Sequence, residues 1–448
     1  MKYLRSFHPA VAQWASFFQQ CQGGILGDGL WIAFGQGAQA IAMLVGVRLL
    51  SELVAPNIYG EVTLFMGAVF LGRQVFGFPF LQAALRFYPE ALNNNLVPLL
   101  RGIIKSYLFR IVGSYTVIYL TIGLGYTVFA HNDISYYLFI LSSGLLCCEV
   151  ACVLETDLFN AARMQGHFAC IQVANAWLRP FLAVFAVIVF GASAVSVFSG
   201  YLAAAALVVI FLYVLPVNRI GIEQANAVSD SISKFKHDIS RYAIPLIPLA
   251  VVGWVSTFSD RYLIGVLLDA EKVGLYAVAY SLMSLPFIMV QTIFERTLRP
   301  GYFAAVSAGD EKKAKKYFRF WINGVFCICF AGVFIAYFFH HDIAKICLAE
   351  KYHSSAPLMP WIALGHLFFA ISLVFEIPCF AYKKTTYVLV IQGTGALFSL
   401  LITIPFLLHY GLIGAAMAVP VYFFIQLCAS ITACRRVIRK NEMSDQCL

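Results

Sequence analysis

The stretch YAIPLIPLAVVGWVSTFSDRYLIGVLL, residues 242–268, decides how this chain folds. It is long enough to cross a bilayer as one helix, because about 20 mostly apolar residues span the hydrocarbon core. Two full charges, Asp260 and Arg261, nevertheless stand side by side within it. An ionised side chain at that depth costs about 2.5–3.5 kcal/mol or more, so such residues usually face a bundle interior or a watery cavity. The pair is therefore a candidate transport site.

The composition indicates a protein that crosses the membrane many times. Hydrophobic residues make up 61% of the 448 residues, charged residues only 12%, and the mean hydropathy is +0.81. That leaves too little polar surface to coat a water-soluble globule of this length. The formal net charge of +9 does not indicate a nucleic-acid partner, because the basic residues form short clusters between apolar runs and build no basic face.

Apolar runs of spanning length predict an all-α fold of about twelve transmembrane helices. The predicted spans are 28–54, 58–82, 103–130, 136–160, 168–190, 193–217, 242–268, 274–298, 318–340, 357–382, 386–408 and 411–434. The sixth, eleventh and twelfth contain no charged residue, so we expect them at the periphery of the bundle. No connector is long enough for a soluble catalytic domain, which predicts a transporter and not an enzyme.

Lysine and arginine occur in every second connector and set the predicted orientation. Outside the spans, Lys272, Lys345 and Lys351 are the exceptions; all other basic residues lie on the side that holds both termini. The positive-inside rule places that side, with both termini, in the cytoplasm.

The polar connector 218–241 divides the twelve spans into two halves of six. An even number of spans in each half predicts lobes of like orientation, related by an axis along the membrane normal. A faint internal repeat supports this, since IYGEV at 58–62 and KVGLY at 272–276 occupy corresponding places. The predicted segments are an amphipathic cytoplasmic stretch 1–27, the lobes 28–217 and 242–434, the cytoplasmic linker 218–241 and the basic cytoplasmic tail 435–448.

Four arginines within the spans suggest a cationic, substrate-binding cavity. Arg73 and Arg179 fall near mid-depth in the second and fifth spans, and Arg48 and Arg261 lie near the outer ends of the first and seventh. The planar guanidinium meets phosphate oxygens with two hydrogen bonds and stays charged at any relevant pH. The alternative is that each arginine pairs with a carboxylate, or reaches a headgroup, and only fixes packing.

Three carboxylates within the spans are candidates for ion coupling or for counter-ions: Asp260, Glu149 and Glu376. Adjacent helix positions point about 100° apart, so we expect Asp260 and Arg261 not to bridge each other. Glu149 and Glu376 stand alone in the fourth and tenth spans, where a buried carboxylate could bind and release a proton, as a proton-coupled exporter requires. The other interpretation is a structural pair with an arginine.

Nothing in the sequence indicates a metal site or a cofactor. His340, His341 and His353 share one predicted outer loop, but they lack the spacing and the cysteine partners of a zinc site. His366 in the tenth span could relay protons, although a histidine that packs between helices is the simpler interpretation.

Several motifs together resemble the O-antigen flippases, which translocate bacterial polysaccharide repeat units. SDRYLIG at 259–265, followed by VGLYAVAY at 273–280, resembles the signature of their seventh and eighth helices. The resemblance continues through the first half and the remaining helices, in Tyr59–Gly60, RFYPE at 86–90, RPGY at 299–302 and YGLIGAA at 410–416. This family belongs to the multidrug, oligosaccharidyl-lipid and polysaccharide exporter superfamily.

The resemblance implies a V-shaped exporter of two six-helix lobes in the bacterial inner membrane. Its substrate would be an undecaprenyl-diphosphate-linked oligosaccharide, moved by alternating access and ion antiport for O-antigen, lipopolysaccharide or exopolysaccharide synthesis. A polysaccharide polymerase and a chain-length regulator would be its partners beside the lipid bilayer. The alternatives are a multidrug or cation exporter, which would want a carboxylate-lined cavity, a lipid II flippase, which typically has two more spans, and a membrane glycan polymerase or ligase.

Overall fold

The computed structural model describes residues 25–93, 96–130, 133–162, 164–214, 229–382 and 384–445, and this part of the chain contains helices but no strand. The predicted amphipathic segment 1–27 falls almost entirely outside the described residues. Ten helical stretches are long and apolar enough to cross a membrane. The predicted all-α membrane fold is confirmed.

Six membrane helices build the N-terminal lobe, and most extend beyond the bounds that hydropathy predicted. The second is one helix in three consecutive parts, with a π-helical segment in its middle. The helices are α1 (Ile25–Leu53), α2 (Pro56–Leu71, Gly72–Gly77 and Phe78–Asn93), α3 (Val97–Ala130), α4 (Asp133–Ala161), α5 (Gln165–Phe190) and α6 (Ala194–Val214).

A polar helix precedes the second lobe, whose last helix contains two spans. At Gly411 the backbone has φ 59° and ψ −142°, a conformation that only glycine adopts without strain, and the chain bends there. With α1 and this doubled helix, twelve spans are present, as the sequence predicts. The elements are α7 (Ser229–Ala243), α8 (Ile247–Leu267), α9 (Ala270–Ser307), α10 (Glu311–Cys347), a 3₁₀ segment (Glu350–Leu358), α11 (Met359–Ala381) and α12 (Thr385–Asp445).

Each lobe has its own hydrophobic core. Leu100, Ile104 and Leu145 are almost fully buried in the first, and Tyr276 and Trp321 in the second. The outer surface carries exposed large apolar side chains, as lipid contact requires. On α3 and α5 these include Val117, Ile118, Ile122, Phe181, Phe185 and Ile188.

The expectation that the uncharged spans are peripheral is wrong for two of the three. In α6, Phe198 is fully buried, and a Cβ on Gly200 would overlap the backbone of Ala183 in α5. In the second half of α12, Val419 and Tyr422 are buried in the core of the second lobe. Small residues and aromatic rings, rather than charges, bring membrane helices close together, so absence of charge does not predict a peripheral position.

The two lobes touch at the end of the bundle where α1 ends and α2 and α9 begin. We call this the outer end, because the sequence predicts that it faces away from the cytoplasm, and the opposite end the inner end. Here Gly60 of α2 lies against α9, and Gly274 of α9 lies against α2. A Cβ on Gly60 would overlap the carbonyl oxygen of Ala270, and a Cβ on Gly274 would overlap that of Pro56. The corresponding glycines of the two halves thus meet at the crossing of α2 and α9.

Hydrogen bonds between the lobes surround this glycine crossing. The backbone N–H of Ala349 donates to Ser51 Oγ at 3.0 Å, and the Tyr352 hydroxyl donates to the carbonyl oxygen of Val54 at 3.1 Å. Arg48 donates to the carbonyl oxygen of Leu348 at the end of α10. We refer to these contacts and the Gly60–Gly274 crossing as the outer closure.

Helices α2 and α8 continue the contact toward the middle of the bundle. Tyr262 donates to the carbonyl oxygen of Leu64 at 2.7 Å, and Trp254 donates to that of Gly67 at 2.9 Å. A Cβ on Gly253 would lie 3.5 Å from Nε2 of Gln74. From Gly60 to Gln74 the contact follows α2 for about 21 Å, and toward the inner end Phe87 of α2 packs against Tyr242 at the end of α7, with 6.0 Å between the ring centroids.

Candidate functional site

Three charged side chains from α2, α4 and α5 meet inside the first lobe. Glu149 Oε2 lies 3.2 Å from Nη1 of Arg73, and its other oxygen contacts Nη2 of Arg179. The carboxylate side chain is 7% exposed, whereas 33% of the Arg73 side chain and 27% of the Arg179 side chain remain accessible. The arrangement buries the anion and leaves part of each arginine side chain accessible.

The π-helical segment Gly72–Gly77 contains Arg73. Such wide turns occur mostly as single insertions in α-helices, frequently at functional sites. Sequence reasoning missed it, although a signal existed: Pro79 has no backbone N–H, so the hydrogen-bond ladder of α2 must be interrupted immediately before it.

An aromatic ring packs against the guanidinium of each of the two arginines. The Arg73 guanidinium lies 4.8 Å from the centroid of Phe70, whose ring packs 5.0 Å from Phe258 of the second lobe. The Arg179 guanidinium lies 5.5 Å from the ring of Tyr201 in α6. Arg73 therefore lies at the contact between α2 and α8. It connects the charged cluster to the interface between the lobes.

A second carboxylate lies further along α4. Asp157, about two turns from Glu149 toward the inner end, interacts electrostatically with Arg73 without forming an ion pair with it among the described residues. Glu149 is thus the contacting counter-ion of both guanidiniums.

The expectation that Asp260 and Arg261 do not bridge each other is wrong. Asp260 Oδ1 accepts the backbone N–H of Arg261 at 2.8 Å and lies 3.1 Å from its Nη1. The 100° rule describes the directions of Cβ atoms, and the long arginine side chain folds back across that angle. Tyr276 of α9 donates to the other Asp260 oxygen at 2.6 Å.

The pair is enclosed in the second lobe. Asp260 is 4% and Arg261 6% exposed. The guanidinium lies 4.4 Å from the centroid of Tyr280 and 5.0 Å from that of Phe258. The two charges therefore neutralise each other, and the hydrogen bond from Tyr276 to Asp260 joins α9 to α8 behind the interface between the lobes.

The structure brings two of the four predicted arginines together and separates the others. Arg48 lies in the outer closure, where it also pairs with Glu52 at 2.5 Å. Arg261 is in the core of the second lobe. The substrate-binding role of all four stays a prediction, but only Arg73 and Arg179 share a counter-ion and an accessible face.

Glu376 occupies an apolar helix interior with amide partners. It is 1% exposed, and Gln392 of α12 donates to its Oε2 at 3.1 Å, while Gln426 of the same helix lies nearby and interacts with it electrostatically. Its Oε1 has no hydrogen-bond partner within the described residues, and no lysine or arginine forms an ion pair with it there. The glutamines were not identified from the sequence, because amides in an apolar run carry no charge signal.

The remaining titratable candidate packs as a structural side chain. His366 is 2% exposed, its Nδ1 lies 2.9 Å from the carbonyl oxygen of Ile362, and Tyr280 and Phe423 pack against its ring. Among the described residues no group of three metal-ligating side chains comes together.

Comparison with known proteins gives a family and a fold. The profile of the family described as polysaccharide biosynthesis protein matches residues 25–306. No curated protein sequence matches the chain.

Solved structures with the same architecture are membrane transporters of low sequence identity. An inward-facing MATE family multidrug resistance transporter of the MOP superfamily aligns with TM-score 0.66 and 12% identity, covering 92% of this chain and 96% of that one. The lipid II flippase MurJ, in an inward closed conformation, aligns with TM-score 0.62 and 15% identity, covering 92% of this chain and 88% of that one. A mutant of the Vibrio cholerae MATE transporter VcmN aligns with TM-score 0.62 and 13% identity, covering 94% of this chain and 98% of that one.

Proposed function

Because this chain belongs to the polysaccharide biosynthesis protein family, we propose that it is a flippase for undecaprenyl-diphosphate-linked oligosaccharide repeat units. It carries them across the bacterial inner membrane for O-antigen or a related surface polysaccharide. The observation that carries this proposal is the pair Arg73 and Arg179, which share Glu149 and keep part of each side chain accessible inside a membrane bundle. Arginines at such depth indicate an anionic ligand.

The chemistry of the pair suits a diphosphate. Each guanidinium offers up to five N–H donors in a fixed plane, and Glu149 occupies only part of that set. The Nε of Arg179 has no hydrogen-bond partner in the described residues. Glu149 and the aromatic rings of Phe70 and Tyr201 hold the donors in place before the ligand arrives. A diphosphate then accepts hydrogen bonds from donors that are already oriented.

Carboxylate exposure disfavours a cation exporter. A site for organic cations needs an accessible carboxylate that no internal cation already neutralises. Glu149, Asp260 and Glu376 are each 5% exposed or less, and the first two are paired with arginine. Asp157 is partly exposed, but the nearby charge of Arg73 offsets its own, and the two arginines of the site would repel a cationic drug.

Alternating access follows from where the lobes touch. The outer closure and the hydrogen bonds from α8 to α2 join the two lobes in the outer half of the bundle, and at the inner end α2 and α3 pack against the polar helix α7. We infer that this conformation opens toward the cytoplasm, so that Arg73 and Arg179 receive the diphosphate from the inner leaflet. Opening of the outer closure then releases the substrate on the other side, where a polymerase and its chain-length regulator would take over.

Transport by reconstituted protein tests the proposal against its rivals. Proteoliposomes containing the full chain are loaded either with a fluorescent undecaprenyl-diphosphate-linked sugar, with lipid II, or with ethidium as an organic cation. We expect protein-dependent translocation of the diphosphate-linked sugar and none of ethidium. Export of ethidium alone would overturn the flippase assignment, and faster movement of lipid II than of the other lipid would make this chain a lipid II flippase.

Glu376 is the proposed coupling residue, and Glu149 and Asp260 are assigned as counter-ions. Protonating Glu149 would release two arginines and strengthen anion binding, so proton and substrate would bind together. Antiport requires the opposite relation, in which the proton enters as the substrate leaves. Glu376 contacts neither arginine of the site and has only amide partners, so it can change protonation without altering the diphosphate contacts directly.

We expect Glu376→Gln to uncouple transport from the proton gradient. With a one-unit pH gradient, a coupled proton supplies about 1.4 kcal/mol, which raises the equilibrium accumulation ratio about tenfold. Wild-type proteoliposomes should therefore accumulate more exported lipid with the gradient than without it, and the variant should show no difference. Glu311→Gln, at an exposed carboxylate on the inner end of α10, is the matched control. A gradient response retained by Glu376→Gln would reject this residue as the coupling site.

A further inference from the structure

A polar stripe runs along α5 from Arg179 toward the inner end. Asn175 is four residues and Gln172 seven residues before Arg179, which places all three on one face of the helix. The opposite face carries the exposed apolar side chains Phe181 and Ile188. The stripe therefore faces the interior of the first lobe, next to the charged cluster.

Asn175 lacks a partner for its amide oxygen. Its side chain is partly exposed, whereas Oδ1 is buried and has no hydrogen-bond partner in the described residues. The Nε of Arg179, one turn away, is a donor that is also buried and also has no hydrogen-bond partner in the described residues. An unpaired buried polar group is destabilising because it has lost its hydrogen bonds to water, so native proteins usually give such groups a protein, water or ligand partner. Both side chains are partly exposed on this interior face, so turning either one brings an unpaired polar atom within reach of a polar ligand.

The spacing along α5 identifies which part of the ligand would contact Asn175. Four residues of helix correspond to about 6 Å along the axis, and seven to about 10.5 Å. A pyranose ring is about 5 Å across, so a sugar joined to a diphosphate at Arg179 extends to the level of Asn175. An asparagine amide offers both acceptor and donor, which suits sugar hydroxyl and acetamido groups. Because nothing in the described protein holds Oδ1, the amide can turn about χ2 and lose no existing bond there.

We propose that Asn175 forms a subsite for the first sugar of the lipid-linked substrate, the pyranose attached directly to the diphosphate. Gln172 lies where the second sugar would follow. This inference rests on the proposed function, because it takes Arg73 and Arg179 as the diphosphate site. It adds that the first lobe reads the sugar by neutral hydrogen bonds at Asn175, so that part of the substrate specificity resides on α5.

The test measures affinity for bare and sugar-bearing lipids on the purified full-length protein in nanodiscs. The probes are undecaprenyl diphosphate alone and the same lipid carrying a single glucose, galactose or N-acetylglucosamine. Wild-type protein should bind at least one sugar-bearing probe about fivefold to tenfold more tightly than the bare lipid, the gain expected from one or two hydrogen bonds. In Asn175→Leu that gain should fall to less than twofold.

Controls separate this proposal from folding defects and from the proposed function. Asn323→Leu, at an exposed asparagine of α10, should keep the wild-type preference. If Asn175→Leu no longer binds the bare lipid, the smaller change Asn175→Ser replaces it in the same comparison. A wild-type preference retained by the variant, or no preference in the wild type, would overturn the sugar subsite. Bare-lipid binding that does not weaken in Arg73→Ala would instead overturn the diphosphate site, whatever the sugar results.

Discussion

Replacing Arg73 or Arg179 by alanine should abolish transport and weaken binding of undecaprenyl diphosphate by at least about 30-fold, or about 2 kcal/mol, because each change removes a charge-assisted donor set. Wild-type and variant proteins are compared by lipid binding in nanodiscs and by translocation in proteoliposomes. Membrane abundance should stay near normal, since Glu149 keeps one arginine partner in either variant.

A change at the counter-ion should act in the opposite direction. Glu149→Gln removes the carboxylate that competes with a diphosphate for both guanidiniums, so we expect tighter binding of undecaprenyl diphosphate, by about threefold to tenfold. Transport should nevertheless slow, because release becomes harder. This sign difference distinguishes a binding site from a packing cluster: purely structural arginines would leave lipid affinity unchanged in all three variants, and that result would reject the cationic site.

A single methyl group at the Gly60–Gly274 crossing should prevent the outer closure. In Gly60→Ala or Gly274→Ala, the new Cβ would overlap a carbonyl oxygen of the facing helix. Backbone atoms cannot rotate away as a side chain can, so α2 and α9 must separate. We expect transport to fall by at least about 100-fold, because an overlap worth some 3 kcal/mol shifts the closed state by that factor.

The distance between the two lobes measures this effect directly. Spin labels at Asn57 and Glu271, exposed positions beside the crossing on either lobe, should report a longer distance in the glycine variants than in the parent protein. Gly113→Ala in α3 and Gly393→Ala in α12 are matched controls, because a Cβ at either position meets nothing within 4 Å. Unchanged distances with normal transport in Gly60→Ala would show that the glycine crossing does not control closure.

The membrane architecture was predictable because its causes are local. Spanning length depends on about 20 consecutive apolar residues, and orientation depends on where lysine and arginine fall. The same reasoning found Arg73 and Arg179, since a charge in an apolar run is visible without a structure. It also found the correspondence of Gly60 with Gly274, but gave no indication that these two residues touch.

Pairing was not predictable because it depends on residues far apart in the chain. Glu149 meets Arg73 across 76 positions and Arg179 through a third helix. The sequence left Glu149 and Glu376 equivalent, and only packing shows that one neutralises two arginines while the other has amide partners. Asp260 and Arg261 were misjudged, since helix geometry fixes Cβ directions but not where a long side chain ends.

The sequence by itself determined a twelve-span membrane protein with cations inside its spans, because hydrophobic length and the cost of charge in lipid act residue by residue. The tertiary structure decided which cations remain accessible. Arg48 was placed in the outer closure and Arg261 beneath aromatic rings, whereas Arg73 and Arg179 share one carboxylate with part of each side chain still exposed. Accessibility depends on which helices pack together, and that is a property of the assembled bundle rather than of any one span.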